Sequence, residues 1–324
     1  MVPFRGVQPI GLGLVFLLVA GCATDHARPS HKVPSTYSPE LLAEVLGQED
    51  FDFWFGPDES YVKRSAIELG DEAVPSIAEM LHNASNDETR RNAYIALAYI
   101  GGPKAVEVLR DYYSKTGDVD VLVELCFALG STGTTEDRQY LLETMEQQTR
   151  NARSTNFGAR RAASSALYTL DVLREQRAIP TLEEMVRLQG LGPNEVNRVL
   201  QSIEHGYWSV PMLANCMERD KVILAVLRSG LDNSPDAETV HLHELDSNRT
   251  WIRSPDGWDV AYDEENAKRK PWVQFDVFIS SDGQRAICDT TQYYGPRAAR
   301  GYDYVLRRDA NEWKVVGLRM GWVS

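Results

Sequence analysis

One repeated phrase constrains this chain more than any other feature. "AVPSI" at Ala73, "AIPTL" at Ala178 and "SVPML" at Ser209 share the pattern small residue, β-branched residue, Pro, any residue, Ile or Leu. Ahead of two of these phrases, or of their equivalents, stands a second pattern. Residues 90–109 and 160–182 both open Arg-Arg-x-Ala-x-x-Ala-Leu, and Ala93, Ala96, Leu97 and Ile100 recur as Ala163, Ala166, Leu167 and Leu170. That i, i+3, i+4, i+7 spacing lines one face of a helix, and its small residues let a neighbour approach closely. Pro75, Pro180 and Pro211 then sit in the first turn of the following helix, where a missing N–H costs nothing.

Weaker copies occupy residues 61–81 and 121–145, the latter with Gly130 and Gly133 in the break and Thr135 as the expected N-cap. Equivalent Ala-Leu pairs lie 32 residues apart from Ala96 to Ala128 and 38 from Ala128 to Ala166, the excess falling in the polar loop "QQTRNARSTNFG". A fifth pair at 194–217 and a last helix, "DKVILAVLRSGL", complete the series. A helical hairpin repeated with a period in the thirties predicts an α-solenoid, in which each repeat buries its apolar face on its neighbours. Over residues 58–231 the chain resembles the HEAT repeats, especially the short bacterial form found in phycobilin (PBS) lyases. The third copy departs from the motif by lacking Arg and Pro, and the fourth has Asp171 in place of the Gly. Nothing here carries lyase chemistry.

The N-terminus predicts an address. After Arg5 comes a short apolar run, "IGLGLVFLLVAG", too short to span a bilayer and suited to a signal-peptide core. "VAGC", Val19 to Cys22, resembles the lipobox of bacterial lipoproteins, which implies removal of residues 1–21, acylation of Cys22 and, with Ala23 following, sorting to an outer membrane facing the periplasm. Residues 22–57, rich in Pro, Ser, Thr and His at their start, read as a tether with a short helix. Export leaves Cys126, Cys216 and Cys288 in an oxidising compartment. Cys126 and Cys216 fall about three repeats apart, too far to pair, and both read as small core residues.

From residue 232 to 324 helical spacing gives way to alternation. "WVQFDVFIS" sets Val273, Phe275, Val277 and Ile279 on one face, and the final 24 residues read as two strands around a turn at 309–311. The expectation is a small antiparallel β-rich (α+β) domain, a meander of about four strands preceded by strands near 239–245 and 249–254, with "DKVILAVLRSGL" covering one face. His241 and His243, two apart, with Asp246, are the candidate metal ligands, although no third ligand of recognisable spacing accompanies them. Asp276, Asp289 and Asp303 lie on strands. Trp251, Trp258, Trp272, Tyr293, Tyr294, Tyr302 and Tyr304 could form a carbohydrate or peptide platform, or divide between core and rim. No nucleophile elbow, zincin motif or phosphate loop occurs, and the residues name no catalytic group and call for no cofactor.

Composition narrows the partner. A formal charge of −13 argues against nucleic acid. Arg64, Arg90, Arg91, Arg160 and Arg161 either form a ligand-binding row or bond acids and carbonyls of neighbouring repeats. The exposed residues of the second helices, Ser76, Glu79, Glu107, Asp111, Glu183, Glu184 and Arg187, should line the concave side. Their mainly acidic character favours a protein or basic peptide over an anion. The expected function is a membrane-anchored scaffold that binds protein through its solenoid. The alternative is a small-ligand or enzymatic site in the β domain or the crevice beside it.

Overall fold

The computed structural model describes residues 37–48, 51, 53, 59–151, 156–188, 196, 197, 199, 200, 203, 218–229, 241–244, 247–254, 257–261, 272–295 and 298–323. All belong to the compact unit Ser35–Ser324. After α1 (Pro39–Leu46) come four helical hairpins: α2 (Glu59–Leu69) with α3 (Val74–Asn83), α4 (Asp87–Ile100) with α5 (Gly102–Thr116), α6 (Val119–Thr132) with α7 (Thr135–Asn151), and α8 (Phe157–Val172) with α9 (Ile179–Leu188). The hairpin periodicity read from the sequence is present in the fold. Pro75 and Pro103 both stand at the start of second helices. The residues expected for a fifth pair lie almost wholly outside the described residues.

Local chemistry sets the boundaries. Asn86 and Asn156 cap α4 and α8 by accepting from the N–H groups of Thr89 and Ala159 at 2.7 and 3.1 Å. The cap of α7 is Thr134, one residue earlier than expected. Its hydroxyl accepts from Asp137 N–H at 3.1 Å while Asp137 Oδ2 accepts from Thr134 N–H at 3.3 Å, a reciprocal box that only the Thr three residues before an acid can close.

The first helices α2, α4, α6 and α8 pack side by side, with the second helices as a layer beyond them. Ala93, Ala96, Leu97, Ala163, Ala166, Leu167 and Leu170 are fully buried. Yet α4 is buried at every residue from Asn92 to Ile100, and α6 at every residue from Val121 to Gly130. A helix enclosed all round has a neighbour on each side, and here the extra neighbour is the sheet.

That sheet holds β1 (His241–Glu244), β2 (Ser247–Ser254), β3 (Gly257–Ala261), β4 (Trp272–Ile279), β5 (Arg285–Gly295), β6 (Ala298–Asp309) and β7 (Glu312–Val323) in the order β3-β2-β1-β4-β5-β6-β7. The expected meander is β4 to β7, and the added strands include one parallel pairing, β1 with β4. Helix α10 (Glu218–Arg228), the "DKVILAVLRSGL" segment, covers one face as expected, packing Val222, Ile223 and Val226 with Phe275, Cys288, Tyr304, Leu306 and Trp313. Alternate residues point the other way, and Phe278, Ile287, Val305 and Val316 join the core of the first helices. The sheet is therefore sandwiched between α10 and the helical stack.

Candidate functional site

Two glycines let the sheet approach the stack. A Cβ on Gly130 of α6 would stand 1.9 Å from the carbonyl oxygen of Val316, and one on Gly317 of β7 would stand 2.9 Å from the Phe127 ring. Gly130, expected in a turn, is thus a packing glycine inside a helix, while Gly133 makes the left-handed C-cap. At the ends of the helices the sheet supplies cations. Arg285 donates to the carbonyl of Glu68 at 2.8 Å, and its cross-strand partner Arg307 reaches the carbonyl of Ile100 at 3.5 Å. Each meets the C-terminal end of a first helix, where positive charge complements the dipole.

The densest polar arrangement lies deeper in the same junction. Cross-strand register aligns Asp276, Asp289, Asp303 and Arg319 in one row over β4, β5, β6 and β7. Each faces a first helix or a neighbour in the row. Arg64 of α2 pairs with Asp276 at 3.0 Å; Lys63 pairs with Asp303 at 2.8 Å and Glu59 at 2.6 Å; Tyr99 of α4 donates to Asp303; and Arg319 pairs with Glu124 of α6. The Arg319 guanidinium also lies over Phe127 and Tyr99, 4.5 and 5.0 Å from the ring centroids.

Burial alone would lower the pKa of Lys63, but Tyr99, Asp303, Asp289 and Glu59 around it hold it well above its ordinary value, so it is an ammonium. Burial pushes the Asp289 carboxyl well up, with Asp303 adding to the effect, so Asp289 keeps its proton. Tyr99 is raised by burial and then by Asp303, which keeps it a donor. Lys63, Tyr99 and Arg319 each already engage a carboxylate, so this chemistry fastens sheet to helices. The sequence placed the three aspartates on strands without showing that they align, because register is set by pairing across residues far apart in the chain.

The second helices present a different surface. Side-chain contacts join them in order: His82 to Tyr112 from α3 to α5, Arg110 to Asp137 and Tyr140 from α5 to α7, and Arg138 to Glu175 just before α9. Glu79, Glu107, Asp111 and Glu183 are exposed and Ser76 is half-buried, while Glu184 and Arg187 lie on α9 with side chains outside the described residues. Of the arginines, Arg161 pairs with Asp120 of the preceding repeat at 2.6 Å, Arg90 binds the Ala84 carbonyl and Asp87, and Arg64 serves the sheet, which gives all three structural partners.

His241 and His243 lie on β1, in register with Trp272 and Gln274, but their side chains and all of Asp246 are outside the described residues. So are Cys22, Cys216 and the side chains of Trp251, Trp258, Trp272, Tyr293 and Tyr294. Tyr302 and Tyr304 are core residues and belong to no exposed platform. Cys126 and Cys288 are free, buried thiols, and burial pushes the first up to about 12. Among the described residues no group of His, Cys, Asp and Glu is arranged to hold a metal, and no helix is long and apolar enough to cross a membrane.

Comparison with known families adds one match. Residues 74–155 fit the HEAT repeats model. The match runs from α3 to just past the end of α7, so the central hairpins of the stack are HEAT-like repeats and the chain contains a helical-repeat scaffold. No curated protein and no solved structure matches the chain.

Proposed function

We propose that this chain is a lipoprotein of the bacterial cell envelope, held by an acylated Cys22 at the outer membrane on its periplasmic side, whose HEAT-like repeats bind a protein on the second-helix face. The observation that carries the reading is the position of the sheet. It occupies the first-helix side along α2, α4, α6 and α8, which leaves the layer of α3, α5, α7 and α9 as a repeat surface with exposed side chains such as Glu79, Glu107 and Glu183. The apolar leader and "VAGC" support the anchor. HEAT-like repeats, which stack into extended surfaces, support a protein partner.

Capture from detergent-solubilised envelope tests the face directly. A partner retained by the parent chain and lost from an E79K/E107K/E183K variant of unchanged melting temperature supports the reading. Retention by that variant moves recognition elsewhere. Metabolic labelling with palmitate tests the anchor: label on the parent and none on Cys22→Ser is expected, and equal label refutes it.

A further inference from the structure

The row of aspartates on the sheet carries more negative charge than the helices facing it can match. Asp276, Asp289 and Asp303 stand directly opposite one another on β4, β5 and β6, an arrangement in which Cβ atoms lie about 5 Å apart and like charges repel. From α2 come Glu59, Lys63 and Arg64, and from α4 the hydroxyl of Tyr99. Further along the row Arg319 of β7 and Glu124 of α6 form a pair of their own. On the opposite face of the sheet, α10 brings Arg219 toward Cys288. Around Asp289 four carboxyl groups, its own included, therefore meet two cations, and both cations are already engaged: Arg64 by Asp276, and Lys63 by Asp303 and Glu59.

The imbalance falls on the middle of the row. Lys63 and Tyr99 both engage Oδ2 of Asp303. Asp289 also lies within hydrogen-bonding reach of Asp303, and its Oδ1 is buried with no partner among the described residues. Two carboxylates this close cannot both be ionised, and a hydrogen bond between them requires a proton on one of them. We propose that Asp289 and Asp303 share one proton, and that this proton latches the sheet onto α2. The pair titrates as a unit: when its proton passes to solvent, two adjacent buried charges remain and the contact with α2 loosens. The latch is closed at low pH and opens as pH rises. Release is confined to the α2 end, because at the α6 end Arg319 and Glu124 keep opposite charges whatever the pair does, and β7 stays seated on Gly130.

Hydrogen–deuterium exchange of the full chain in detergent, read from pH 5.5 to 9 with labelling times scaled to the intrinsic rate, tests the latch. Peptides from α2 should lose protection as pH rises, by up to about tenfold per pH unit once the pair titrates, while peptides from α6 and β7 hold theirs. In Asp289→Asn the amide still donates to Asp303 but cannot titrate, so α2 should stay protected across the range. The infrared spectrum reads the proton itself: the carbonyl band of a buried carboxylic acid, absent from D289N, should fade over the same pH range. Flat protection of α2 in the parent, a loss shared equally by α6 and β7, the same loss in D289N, or no carboxylic-acid band overturns the latch. The parent's exchange profile and band decide the matter should D289N fold poorly.

Discussion

Replacing Arg319 with Met is the sharpest test of the junction. Arg319 and Glu124 are both buried, at 8 % and 3 % exposure, on β7 and α6, elements that lie far apart in the chain. Taking one member from a buried pair leaves an uncompensated charge, which costs about 3–5 kcal/mol. Loss of the guanidinium from over Phe127 and Tyr99 falls within that figure. At about 2 °C per kcal/mol for a chain of this size, the thermal midpoint of R319M should drop by about 6–10 °C. E124Q alone should also lose stability, because Arg319 is then the orphan. The double variant E124Q/R319M buries no charge at this point and should recover more than half of the loss, since a buried pair as a whole is often replaceable. Thermal melts of the four proteins by circular dichroism close the cycle. A drop of only a degree or two in R319M, or a double variant no better than R319M, would refute the view that this pair is desolvated and coupled.

Three further outcomes follow from the same structure. Gly130→Ala adds helix propensity, yet should lower the thermal midpoint, since overpacking against the Val316 carbonyl costs about 1–3 kcal/mol; a rise would mean that β7 does not press on α6. Asp289 holds its proton in the fold, so its stabilisation is complete below the ordinary value of 3.8 and declines as pH rises toward its raised pKa. Asp289→Asn keeps the shape without the titration, so melts across pH 4 to 9 should show it gaining on the parent as pH rises, and a constant difference would count against a protonated Asp289. Glu175, lowered to about 2 chiefly by its bond from Arg177, stabilises above the unfolded value of 4.5, and that contribution is lost as pH falls between the two. Glu175→Gln should therefore flatten the acid limb of the melt profile, and an unchanged limb would remove Glu175 from the account.

Much of the helical part was legible because its information is local. The alanines 93, 96, 163 and 166 mark close helix contacts wherever they fall on a 3.6-residue period, and Pro75 and Pro180 mark helix starts by their own chemistry. The alternation at Val273 to Ile279 likewise exposed the face that α10 covers. What did not show was the junction. Lys63 and Asp303, Tyr99 and Asp303, and Glu124 and Arg319 are each separated by some two hundred residues, and no short window contains both members. One local sign existed: "VLVELCFALG", apolar nearly all round, is too hydrophobic for a helix of a two-layer stack and asks for a third layer. The row of Asp276, Asp289 and Asp303 needed the strand register before it became a row at all.

Ordinary solenoids gain and lose repeats by duplication, because each unit meets only those beside it. Here a single sheet reaches α2 through β4 and β5 and reaches α6 and α8 through β7. It acts as a fixed-length template laid along the stack: insertion or deletion of one hairpin would carry Glu124 about 10 Å past Arg319 and misalign every contact beyond the change. The second helices can change their outer side chains without disturbing the sheet, whereas the number of repeats is held by it.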